Sequence, residues 1–151
     1  MRLLKIESVK EMMNDLLRGT RFDTFCAAEI TIKNRISYVI DGHLIDGGGE
    51  CTDYSLVRPL CFEMIRGRQL PDSFRFVLFL PKSGYPDFLT AAGISADPES
   101  IGALNLTIRF QERELFVMTG TAMKVFTTDR SLEDAWDRYV QNFLKEYGPH
   151  E

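Results

Sequence analysis

Thiols and imidazoles are the scarce reactive groups of this chain. There are three cysteines, Cys26, Cys51 and Cys61, and two histidines, His43 and His150. His150 stands next to the last residue, so imidazole chemistry rests on His43. It lies in Asp41-Gly42-His43-Leu44-Ile45-Asp46, with Glu50, Cys51 and Asp53 close behind. Asp, His, Glu and Cys together are the donor types of a metal centre. Their spacing matches no ligand pattern, and the three glycines at 47–49 resist preorganisation. A polar surface loop is the simpler account. An enzyme or metal-binding protein using the segment from Asp41 to Asp53 is the alternative.

The remaining candidates reduce to structure. The glycines are followed by no Lys-Ser or Lys-Thr and open no G-x-G-x-x-G helix, so they are no phosphate loop. Cys61 lies on the apolar stripe of a helix. Cys26 alternates with Ala28, Ile30 and Ile32 on the inner face of a strand, so both thiols read as core. Cys51, in the loop, is the most exposed to reaction but has no cationic neighbour in sequence. Glu133 and Asp137 pair on what periodicity makes the outer face of a helix, where solvated charge is expected. No catalytic residue, cofactor or metal ligand is assigned.

Hydrophobic periodicity says which elements hold these residues. A first strand at 3–6 leads to a helix that Ser8 and Glu11 start as a capping box, with Val9, Met12, Met13, Leu16 and Leu17 inward. Alternation at 25–33 and 36–41 predicts a hairpin. Ser55 opens a helix with Pro59 in its first turn, and Leu60, Cys61, Met64 and Ile65 form its stripe. A linker at 67–73 precedes the strongest strand, 74–80. A short helix at 86–92 follows, then strands at 104–110 and 115–126, with a bulge or bend at Gly120. Ser131 and Asp134 cap a last helix whose stripe runs through Leu132, Ala135, Trp136, Tyr139, Val140, Phe143, Leu144 and Tyr147.

The order strand, helix, strand, strand, helix thus occurs twice, at about 1–67 and 74–148. The expected fold is α+β, one domain over 1–151: a curved antiparallel sheet with helices on one face, built from two pseudo-repeats. Bulk properties agree with a folded single domain. The chain has 151 residues, 44% apolar and 26% charged. Its net charge of −4 argues against a dedicated nucleic-acid binder. No apolar run approaches the roughly 20 residues of a membrane span. With no signal-like N-terminus and an odd number of unpaired thiols, a cytoplasmic protein is expected.

Two resemblances add to this. The stretches RPLCFEMIRGRQLPDSFRFVLFL (58–80) and TGTAMKVFTTDRSLEDAWDRYVQNFL (119–144) resemble a family of short bacterial proteins of unknown function, which implies no activity. The doubled order of elements is similar in architecture to the TATA-binding-protein fold, and residues 106–148 look like the end of such a repeat. A likeness of fold transfers no function.

The open face of the predicted sheet carries the functional expectation. Alternation places Glu29, Thr31, Lys33, Arg75, Val77, Phe79, Asn105, Thr107 and Arg109 away from the helices, and Lys124 joins them if parity survives the bend at Gly120. Apolar side chains inside a basic rim suggest a binding surface made by Lys33, Arg75, Val77, Phe79, Thr107, Arg109 and Lys124. The expected function is a non-enzymatic binding module that contacts a protein partner or its own copy. Nucleic-acid binding through the same basic residues is the alternative, disfavoured by the acidic balance and the lack of paired aromatics for base stacking.

Overall fold

The computed structural model describes residues 1–46, 50–66 and 71–151. The chain runs β1 (Leu3–Ile6), α1 (Val9–Leu17), β2 (Cys26–Lys33), β3 (Ser37–Asp41), β4 (Thr52–Asp53), α2 (Tyr54–Ile65), β5 (Ser73–Phe79), α3 (Tyr85–Ala92), β6 (Ile101–Gln111), β7 (Glu114–Met123), α4 (Ser131–Phe143) and β8 (Pro149–His150). All eight strands join one sheet in the order β3-β2-β5-β6-β7-β1-β8, with β4 pairing the free end of β2. Every pairing between them is antiparallel. The expected linker at 67–73 and the glycine run at 47–49 fall wholly or partly outside the described residues.

Alternation within the strands decides the layers. Ile30, Ile32, Phe74, Phe76, Leu78, Leu106, Ile108, Leu115 and Val117 project to one side. There they form one core with buried residues of all four helices, among them Met12, Cys61, Phe88 and Trp136. The fold is therefore α+β, an open antiparallel sheet backed by helices on one face. Helix α4 closes the core: Trp136 is fully buried and its indole N–H donates to the Asn105 carbonyl at 2.8 Å. Its ring stacks on Tyr139 and meets Phe88 edge-on.

Several local expectations are corrected. The order of elements is doubled, but the strand places are not. Strands β5, β6 and β7 are consecutive neighbours, whereas β2 pairs β3 and β1 sits beyond β7. Leu4 and Ile6 of β1 bury beside Val117 and Leu115, which draws the N-terminal strand across the sheet. Ser8 and Ser131 do not cap their helices by side chain. At α4 it is Asp129 that accepts from the Ser131 backbone N–H, at 2.9 Å. Pro59 lies inside α2 rather than in its first turn.

Gly120 is neither bulge nor bend, since the β6–β7 register runs through it. The irregularity lies at 101–103. A Cβ at Gly120 would fall 2.5 Å from the Asn105 side-chain oxygen, so a larger residue there would have to displace that amide. Asp137 does not point to solvent either. It is buried, and its carboxylate accepts from the Thr119 hydroxyl at 2.5 Å.

Candidate binding face and cysteine pair

The helix-free face is ordered by strand register into three rows. One row runs Asp41, Glu29, Val77, Thr107, Met118 and Leu3 from one edge to the other. The next runs Val39, Thr31, Arg75, Arg109, Phe116 and Lys5. A third holds Cys26, Phe79, Asn105 and Gly120. Val77, Phe79, Phe116 and Met118 are half-buried, while Leu3 and Val39 are exposed. Apolar side chains of β3, β5, β7 and β1 thus lie on this face with no helix over them, separated by the polar residues of β2 and β6.

Charge on this face is mixed. Arg75 and Arg109 stand directly opposite each other on β5 and β6. Like charges in that position destabilise a sheet unless compensated. Arg75 reaches Glu29 at 3.7 Å and Arg109 donates to Gln111 at 3.2 Å, both in the open. Lys5 pairs with Glu114 across β1 and β7 at 3.5 Å. Exposed pairs of this kind contribute under about 1 kcal/mol each.

The expected residues therefore come together on one face, with two adjustments. Thr107 is buried rather than exposed, on a central strand between Val77 and Met118. Lys124 stands beyond the end of β7, where its backbone N–H donates to Ser100. Leu3, Lys5, Phe116 and Met118 belong to the face and escaped the sequence reading. The signal for two of them was present: Phe116 and Met118 alternate with the buried Leu115 and Val117. The place of β1 left no signal.

The second feature is the pairing of two thiols. The β2–β5 register shifts between Ala27 and Glu29, and this bulge reverses the parity of the strand. Cys26 and Ala28 consequently leave the main core and cluster with Cys51, Val77 and Phe79 on the open face. The chain after β3 turns back at Gly42. Its N–H donates to the Ala28 carbonyl at 2.8 Å, and its own carbonyl accepts from Thr52 at 2.8 Å. A Cβ at Gly42 would fall 1.8 Å from the Ala27 carbonyl oxygen, so only glycine permits this approach. The excursion closes through a bridge between His43 and Cys51 and returns as β4.

The Cys51 and Cys26 sulfurs end up 2.6 Å apart, both buried. Cys51 donates its S–H to Cys26, and that contact holds the Cys26 thiol below its ordinary value against the opposing effect of burial. The same contact, helped by burial, pushes Cys51 up. Cys61 differs: it lies in the main core, and burial alone pushes it up to about 12.

A small pocket of about 100 Å³ adjoins the two sulfurs, lined also by His43, Glu50, Lys82 and Tyr85. The Glu50 carboxylate accepts from the Lys82 backbone N–H at 2.9 Å, which ties the excursion to the end of β5. His43 turns its Nδ1 to Asp41 at 2.6 Å, and this contact holds the Asp41 carboxyl below its usual range. Among the described residues no three of His, Cys, Asp and Glu converge as metal ligands. On the helix side, a groove between α1 and α2 is lined by Val9, Met13, Leu17 and Phe62.

An open antiparallel sheet with a helical back defines the class only as far as an α+β fold. The chain belongs to DUF5721, a family of unknown function, whose model matches residues 15–149. No curated protein and no solved structure matches it. Among the described residues no helix is long and apolar enough to cross a membrane.

Proposed function

We propose that this protein is a non-enzymatic interaction module that works through the open face of its sheet, and that the occupant of the face is a second copy of the same chain. The observation that supports this reading most is the juxtaposition of Arg75 and Arg109 beside the uncovered apolar side chains Val77, Phe116 and Met118. The two arginines lie opposite each other with only exposed partners. Carboxylates from a facing surface would offset their repulsion, and apolar residues from the same surface would cover Val77 and Met118.

The face itself offers both. It carries Glu29, Asp41 and Glu114 alongside Lys5, Lys33, Arg75 and Arg109. A two-fold axis lying in the plane of the interface, parallel to the two sheets, would set the basic groups of one copy against the acidic groups of the other. Two sheets packed face to face at about 10 Å would interdigitate the apolar side chains. The near balance of charge disfavours nucleic acid, which calls for a clear basic excess.

The double change Val77→Ser with Met118→Ser tests this reading. Both residues are half-buried on the open face, so the melting midpoint should stay near that of the wild type while self-association weakens by about tenfold or more, as for residues near the centre of an interface. A salt series with mixed-sequence DNA and RNA is the counter-test. Retention that steepens at low salt and weakens in Arg75→Ala and Arg109→Ala would replace the protein interface by a nucleic-acid one.

A further inference from the structure

We propose that Cys26 and Cys51 are a redox pair, in which Cys26 is oxidised by a hydroperoxide and Cys51 resolves it as an intramolecular disulfide. The geometry that points to this is specific. Cys26 heads β2, and Cys51 lies two residues before its pairing partner Asp53, so both side chains leave the same face of the sheet. Their sulfurs stand 2.6 Å apart, closer than unbonded sulfurs pack, and a disulfide of about 2.05 Å needs only a small further approach. Three features bring the two sulfurs together: the bulge after Ala27, the glycine turn at 42 and the His43–Cys51 bridge.

Access and polarity agree. The pocket beside the sulfurs holds about 100 Å³, room for a molecule as small as a hydroperoxide. The rim is exposed at His43 and Lys82, and the apolar wall is Phe79. The Cys51 S–H contact lowers the Cys26 thiol and raises that of Cys51, so Cys26 is the more readily ionised of the two.

The chemistry balances in two steps. The Cys26 thiolate attacks the distal oxygen of the hydroperoxide. An S–O bond forms, the O–O bond breaks, and the leaving oxygen takes up a proton as water or an alcohol, giving Cys26 sulfenic acid. The Cys51 sulfur then attacks the Cys26 sulfur. The S–S bond forms, the S–O bond breaks, and the hydroxide leaves as water with the Cys51 proton. Two thiols are oxidised by two electrons and one peroxide is reduced. A dithiol reverses the disulfide by exchange. The pair's chemistry does not require self-association, although Phe79 is shared by the pocket wall and the sheet face.

Mass spectrometry of the full chain is the test. Reduced protein is treated with equimolar hydrogen peroxide, quenched in denaturant and alkylated with N-ethylmaleimide. We expect one of the three cysteines to take up label instead of all three, the labelled residue to be Cys61, and a peptide cross-link between Cys26 and Cys51 that dithiothreitol removes. In Cys51→Ser the reaction should stop at a dimedone-reactive sulfenic acid on Cys26. In Cys26→Ser the peroxide reaction should slow by about tenfold or more. Cys61→Ala should change nothing. Full labelling of three thiols after peroxide in the wild-type protein, or a cross-link that includes Cys61 or joins two chains, would overturn the proposal without recourse to any variant.

Discussion

Single side chains in this protein are governed by which face of the sheet they reach. Trp136 combines complete burial, a hydrogen bond to Asn105 and two aromatic neighbours. Trp136→Ala should cost roughly 3–5 kcal/mol, as large-to-small core changes do. Thermal or urea unfolding checks it, and a midpoint shift of a degree or two would mean that α4 packs loosely. Gly42→Ala should also destabilise, by about 1–3 kcal/mol or more, because the new methyl meets a backbone carbonyl and not a movable side chain. Cys61 supplies the complementary prediction. Its thiol, pushed up to about 12 by burial in the main core, should resist iodoacetamide at neutral pH in the folded protein and react only on unfolding.

At the scale of elements, periodicity was a good guide to what exists and a poor guide to where it goes. The apolar stripe of α4 and the alternation of β5 and β6 are long and regular, so each names its own buried face. The short β1 contributes only Leu4 and Ile6 to the core, too few to announce that it pairs with β7. The bulge in β2 is a matter of two residues, yet it moves Cys26 and Ala28 from one face to the other. No propensity of Cys-Ala-Ala-Glu marks that shift. It follows from tertiary pairing with β5 and β4, which is why Cys26 read as core and its pairing with Cys51 was not legible.

Asp137 escaped for a similar reason. Periodicity puts it outside α4, but the arrival of Thr119 on β7 gives its carboxylate a buried partner. Helix α2 carries a testable local conflict. Pro59 lies exposed in its interior and leaves one turn of the helix without an amide donor. Pro59→Ala should therefore raise stability by roughly 1–3 kcal/mol, up to the full interior cost of proline. Denaturant midpoints measure it, and a loss of stability would mean that the ring itself is packed.

For the molecule as a whole, the asymmetry between its two faces is the central fact. One side of the sheet is covered by four helices around a single apolar core, while the other carries Leu3, Val77, Phe79, Phe116 and Met118 under no helix. Membership of a family of unknown function leaves that face as the main clue to activity. Sedimentation equilibrium of the wild-type protein over a wide concentration range tests its role most directly. Association through the open face predicts a mass approaching twice the 17.3 kDa of one chain, returned to the single-chain value by Val77→Ser with Met118→Ser. A single-chain mass at every concentration, or a dimer that the double change leaves intact, would contradict the account.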